Sequence, residues 1–273
     1  MDSLHRFDTA GDAQPSGLAA WRALPRLLVS RQWRWVTLAV IAIMLVLIRL
    51  GIWQLDRLEQ RRTTNALITS RVDEPPIQLT GQPLDPVANE YRQVVVTGTY
   101  DHSSEIVLRN RARAGVPGMD IVTPLRIEGS DQSVLVDRGW VPLLDAEPEQ
   151  RAQFAVAGPV TVRGIVRPPR VQTSSWGPQD RQPEGGRLDA WFHVDVAKIA
   201  NQVPYPLLPL YIEQLPQENA PALPHPQPNI ELTEGSHLSY AVQWFSFATI
   251  LVCGYAAFVV TRSKEQRNQP PEA

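Results

Sequence analysis

Two long apolar runs set the terms on which this chain can fold. Residues 36–55 read VTLAVIAIMLVLIRLGIWQL, with Arg49 as the sole charge, and residues 241–261 carry no charge at all. A helix needs about 20 such residues to cross about 30 Å of hydrocarbon. A helix at the edge of a soluble core keeps a polar face, and these runs have none. The chain is therefore predicted to cross a membrane twice, at 35–55 and 241–261. Tails at 1–34 and 262–273 flank the spans, and the segment 56–240 between them is long enough to be a domain.

Flanking charge orients the spans. Arg22, Arg26, Arg31 and Arg34 precede the first, and Arg262, Lys264 and Arg267 follow the second. The positive-inside rule then puts both ends in the cytoplasm and 56–240 outside. Arg57, Arg61 and Arg62 oppose this for the first span, but the two tails agree with each other. Residues 1–20 hold Arg6 and three aspartates, which is not the composition of a mitochondrial presequence, and no apolar signal core precedes residue 36. They read as a disordered cytoplasmic tail, and the expected location is a bacterial plasma (inner) membrane.

The segment 56–240 carries 17 Arg+Lys against 23 Asp+Glu and holds 21 of the 25 prolines. Short β-branched and aromatic runs fill it at 91–100 (YRQVVVTGTY), 105–108, 120–127, 133–141, 160–166 and 207–214. Breakers such as GVPG at 115–118 and RPPR at 167–170 separate them. The expected fold class is a membrane protein with two transmembrane α-helices flanking a β-rich domain, barrel-like or sandwich-like. A minor helix is predicted at 195–202, and loops at 172–186 and 215–227.

Several function classes drop out. The net charge of −2 gives no case for nucleic acid. Cys253 is the only cysteine, so a disulfide or a CxxC metal site cannot form within the chain. No GxSxG, HExxH or Walker loop is present, and His102, His193 and His225 lack metal-ligand spacing. A non-enzyme is expected.

Three blocks in order carry a resemblance: GIWQLDR (51–57) at the outer end of span one, VLVDRGWVP (134–142) in the β domain, and HLSYAVQWFSFA (237–248) opening span two. With this two-span layout the chain resembles the Surfeit locus protein family of cytochrome c oxidase assembly factors, over roughly residues 36–262. A softer match runs through YRQVVVTGTY and RNRARAGVPGMDIVTPL (109–125). The motif residues are Gly51, Trp53, Gln54, Arg57, Arg138, Gly139, Trp140 and Gln243. In two places the chain departs from the family pattern: Arg61 stands where members usually have lysine, and Gly235–Ser236 precede the histidine where a polar Asn-type residue is common. The resemblance implies help in maturing the heme a-containing catalytic subunit of an aa3-type oxidase. It also implies heme a as a transiently bound cofactor, oxidase subunits and heme a synthase as partners, and His237 as candidate iron ligand.

Each residue also has a plainer reading. His237 would serve as an interfacial anchor, as would Trp53 and Trp244. His237, Tyr240, Trp244 and Ala248 share a face by helical spacing, which suits either a flat macrocycle or packing on span one. Gln54 and Gln243 are predicted to bond to each other across the helix pair. Arg57 and Arg61 follow Trp53 by four and eight residues, and contact either lipid phosphate or heme propionates. Arg49 is read as a snorkelling arginine. Asp137–Arg138–Gly139–Trp140 reads as a strand terminus, with Arg138 pairing Asp137 or a neighbour. Arg109, Arg111 and Arg113 read as a solvated edge or a docking surface. The alternative overall function is a heme-free scaffold for oxidase intermediates.

Overall fold

The order in which five strands pair decides the architecture of residues 64–232, one of two compact units. The structure, a computed structural model, describes residues 21–22, 24–171, 177–181, 186–218 and 221–268. The tail expected at 1–20 and parts of the loop expected at 172–186 lie outside the described residues. The strands are β1 (Ile77–Gln78), β2 (Gln93–Tyr100), β3 (Ile106–Arg113), β4 (Val116–Ile127), β5 (Ser133–Pro142), β6 (Pro159–Arg167), β7 (Ala190–Trp191) and β8 (Leu207–Gln214). On β2 Val94, Val96 and Tyr100 are buried while Val95, Thr97 and Thr99 are not. One side of the strand therefore lines a core.

That core is the inside of a barrel. β2, β6, β8, β5 and β4 follow one another by hydrogen bonding, and β4 pairs back onto β2. The closure falls at Gly98 to Tyr100 opposite Ile127 to Leu125, while the rest of β2 pairs with β6. A Cβ on Gly98 would stand 2.2 Å from the Arg126 carbonyl oxygen, so this strand bonds both neighbours only because residue 98 has no side chain. In chain order the ring runs first, second, third, fifth, fourth, with β5 and β8 parallel. This is the Greek-key order of a five-stranded OB-type barrel. Val96, Leu125, Val134, Val136, Leu210 and Ile212 fill it. Each such side chain stabilises by about 1.5–3 kcal/mol, an upper figure because the unfolded chain is already partly collapsed. Of the barrel and sandwich readings, the barrel is the one observed.

A second cluster coats the outside. Trp191, wholly buried, packs with Ile106, Leu135, Ile199 and Tyr211, and its Nε1 donates to Leu188 O at 2.8 Å. Short α-helices labelled in chain order lie at α1 (Leu24–Leu28), α3 (Pro148–Arg151) and α4 (Val196–Ala200). The last is the predicted minor helix, capped by the Asp195 carboxylate, which accepts from the Lys198 amide.

Two local expectations change. GVPG is not a break between strands: the hairpin turns at Ala114 and Gly115, φ 49° and 79°, and Val116 to Gly118 already belong to β4. Likewise Asp137 to Trp140 do not end a strand. Ile121 pairs with Gly139 and Val122 with Asp137, so Arg138 is the extra residue of a bulge inside β5. Gly139 has φ 111°, and a Cβ there would lie 2.1 Å from the His225 carbonyl oxygen. That carbonyl and the His225 amide exchange 2.8 Å bonds with Trp140, which pins the loop expected at 215–227 to the bulge.

The other unit, residues up to 63 and from 233, is helical. Its two long helices are α2 (Arg34–Asp73) and α5 (His237–Asn268), both long and apolar enough to cross a membrane. Only 6% and 17% of the residues in their most apolar windows are buried, and Leu38, Ile43, Val46, Val242 and Ile250 face outward. A soluble core helix would show the reverse. α2 runs on well past residue 55 because DRLEQRRTTNALITSRVD (56–73) has no Pro or Gly, and Glu74-Pro75-Pro76 then stops it. The pair is antiparallel: Thr37 Oγ1 lies 2.6 Å from Tyr255 Oη, Trp33 meets Phe258 edge-on at 5.6 Å, and Gly51 meets Phe245. Ala241 and Ala248 are buried, small residues that let the helices approach.

Candidate functional site

The residues that open α5 begin at a glycine in a left-handed conformation. Gly235 has φ 67°, Tyr240 N–H donates to Ser236 O at 3.1 Å to start the helix, and His237 is its first residue. The half-buried His237 places Nδ1 2.8 Å from Gln54 Oε1 on α2. One turn earlier on α2, Gly51 is buried, and a Cβ there would stand 2.6 Å from the Phe245 ring. Just beyond, Arg62 grips Glu234 with two hydrogen bonds of 2.9 and 3.0 Å, which hold the Glu234 carboxyl below its ordinary range. The motif reading had singled out Arg57 and Arg61. Arg62 was missed because an ion pair across 172 residues leaves no local signal.

Gln54 is thus engaged by His237, and Gln243 is exposed. The expected Gln54–Gln243 pair does not form, since six helical residues put Gln243 about 240° around from His237. The four residues of the expected common face differ in burial. Ala248 is buried with Ala241, but Tyr240, about 100° around the helix from Ala241, is 47% exposed. Trp244 is half-buried and meets Phe247 edge-on at 6.1 Å. On α2 Trp53 is 42% exposed with the Arg57 guanidinium 5.6 Å above its ring. Arg57 Nη1 also donates to Gln60 Oε1 at 2.9 Å. The mouth of the helix pair therefore has one imidazole fixed at Nδ1 and open at Nε2, with aromatic rings and a guanidinium on outward faces.

In the barrel unit the bulge sends Arg138 and Asp137 opposite ways. The buried Arg138 guanidinium lies 5.0 Å over Tyr100, 3.4 Å from Glu105 Oε2, and donates to Phe154 O at 2.6 Å. Its carboxylate partner is Glu105 instead of Asp137. Glu105 also accepts from Thr123 Oγ1 at 2.7 Å and contacts His102 Nδ1 at 3.3 Å. Burial pushes the Tyr100 hydroxyl up to about 12. Asp137 accepts from Gly139 N–H at 3.0 Å, and burial together with the Asp120 and Glu213 carboxylates pushes its own carboxyl well above the usual range. The cluster borders a cavity of about 350 Å³ with Arg111 and Arg170, and a second of about 370 Å³ touches Tyr100, Arg138 and Gln214. Trp140 is buried on the bulge. Arg111 is held by Asp120 at 2.6 Å and Arg109 lies over Phe192 at 5.4 Å. Arg111 is thus paired, while Arg109 and Arg113 stay exposed along the edge. No group of three His, Cys, Asp or Glu side chains able to hold a metal occurs among the described residues.

Comparison with known proteins places these features in a family. The model described as SURF1 family matches residues 41–249. The chain belongs to the SURF1 family. It is 31% identical over 239 residues to a SURF1-like protein of Monosiga brevicollis, covering 83% of this chain and 87% of that one. It is 28% identical over 214 residues to human Surfeit locus protein 1, at 73% and 69% coverage. A SURF1-like protein of Caenorhabditis elegans is 26% identical over 245 residues, covering 81% of this chain and 73% of that one. The SURF1 match takes in all three sequence blocks, and so both the His237–Gln54 contact and the Arg138 bulge.

Proposed function

We propose that this SURF1-family protein assists delivery or insertion of heme a into the catalytic subunit of an aa3-type cytochrome c oxidase. It does so from a bacterial inner membrane, with both termini in the cytoplasm, the barrel outside, and heme a synthase as a second partner. The observation that carries this reading is His237, whose Nδ1 is engaged by Gln54 while no partner reaches Nε2 among the described residues. The donor set fits: an imidazole nitrogen is an ordinary ligand of heme iron, and Gly235 puts no side chain against Nε2, where an added Cβ would come into contact at 3.6 Å. Heme a would supply an iron able to accept that nitrogen and a flat apolar ring.

This chain's residues would do the holding. His237 would bind the iron, Trp53, Tyr240 and Trp244 would offer rings, and Arg57 would reach a propionate as a planar donor. Purification from cells that also make heme a synthase tests the reading. Wild type is expected to carry heme a, read from its absorption spectrum, and His237→Ala to have lost most of it. A wild type without heme a, or a variant that carries as much, sinks the ligand assignment in favour of the scaffold reading. Alkaline phosphatase fused after Ala273 is expected to stay inactive, and activity there reverses the orientation.

A further inference from the structure

The contact between His237 and Gln54 has chemical direction. A neutral imidazole carries one N–H and one lone pair, and the hydrogen bond made by one nitrogen decides the state of the other. Gln54 presents Oε1, an acceptor only, 2.8 Å from Nδ1. Nδ1 therefore donates, and the lone pair is left on Nε2. An isolated histidine side chain prefers the opposite tautomer, with the proton on Nε2, which would block that nitrogen as a ligand.

We infer that Gln54 is the positioning residue that holds His237 as an Nε2 ligand, an inference that rests on the heme reading of that residue. Three further features of the same helix pair converge on it. Gly51 stands one turn before Gln54 on α2, and the Phe245 ring occupies the space its side chain would fill. The helices therefore touch where register matters for residue 54. Arg62 and Glu234 clamp the chain three residues before His237. Gly235, with φ 67°, leads the chain into α5 without a side chain on the Nε2 side of the imidazole. Clamp, close approach and opening together put the amide at Nδ1 and free space at Nε2. Partners that orient a ligating histidine in this way typically change metal affinity 10- to 100-fold when removed.

The tautomer can be read without any heme. Protein labelled with ¹⁵N-histidine in detergent micelles, with His237→Gln to assign the resonance, is expected to show His237 protonated at Nδ1 and bare at Nε2. Gln54→Leu should shift it toward the Nε2–H form, and Gln54→Glu, a stronger acceptor, should restore Nδ1–H. A wild-type His237 protonated at Nε2, or a Gln54→Leu protein with an unchanged tautomer, overturns the inference. The heme arm separates the two claims. Gln54→Leu is expected to bind heme a roughly 10-fold or more weakly than wild type, and Gln54→Glu to bind it with a more negative reduction potential, because the ligand donates more strongly. Equal affinity and potential in all three proteins overturns the positioning role while leaving heme binding intact. A wild type that binds no heme a fells the heme reading and with it the ligand role of His237, whereas the tautomer result still decides whether Gln54 governs the imidazole.

Discussion

The mouth of the helix pair and the bulge of β5 both place one polar side chain beside a glycine in a left-handed conformation, and they differ in how far that side chain is satisfied. Arg138 is held from three directions: Glu105, Phe154 O and the Tyr100 ring engage it inside the barrel unit. His237 has Gln54 at one nitrogen and a free second nitrogen. A buried group gripped from several sides is a clamp, and removing it costs stability. A half-buried group with one nitrogen engaged is not held in the same way.

The comparison breaks most visibly at Arg138. Arg138→Ala leaves the buried Glu105 carboxylate without its cation, and denaturant unfolding of the detergent-solubilised protein should show a loss of about 3–5 kcal/mol. A loss under about 1 kcal/mol would make the bulge dispensable. Gly139→Ala follows, at about 1–3 kcal/mol for the backbone strain alone, because the residue needs φ 111° and meets the His225 carbonyl oxygen. His237→Ala sits at the other pole: its unfolding free energy should change by about 1 kcal/mol or less, the scale of one interhelical hydrogen bond. A large drop there would make His237 a clamp as well.

Acid titration sharpens the barrel side with smaller effects of opposite sign. Burial would raise Asp101, but hydrogen bonds from Ser103, Tyr205 and Ser104 outweigh it and hold the carboxyl at about 2. An unfolded aspartate titrates near about 3.9. Stability from Asp101 is thus present above about pH 4 and lost as the pH falls toward about 2, and Asp101→Asn should remove that slope in a melting-temperature series. Asp137 runs the other way. Its folded carboxyl binds a proton more tightly than in the unfolded chain, so its contribution is full below about pH 4 and fades as the pH rises. Asp137→Asn, which keeps an oxygen for Gly139 N–H, should raise the melting temperature at neutral pH and flatten the curve. A lower melting temperature would show that the charged form is the one the fold needs.

What was legible in the sequence follows from the range of the interactions. The β-branched and aromatic run YRQVVVTGTY gave β2, and Leu207–Gln214 was read to the residue, because strand propensity is written locally. Barrel closure was not visible: it depends on Gly98 meeting Arg126, a contact between strands that no period encodes. The bulge hid in VLVDRGWVP because one extra residue shifts the register without altering composition. At the helix mouth the depth of Gln54 and Gln243 could be read from the span ends, but not their bearing around the helix axis. Gln54 was therefore paired with Gln243, and it is His237 that reaches it.

Closure of β2 on β4 also bears on self-association. With the ring complete, the sheet ends at β1 and β7, strands of two residues each. So short an edge gives a stray chain too few N–H and C=O groups to extend. The outer half of β3, beyond its pairing with β7, carries Arg109 and Arg113, exposed charges that repel a like strand. The missing side chain of Gly98 thus also keeps neighbouring molecules from adding to the sheet.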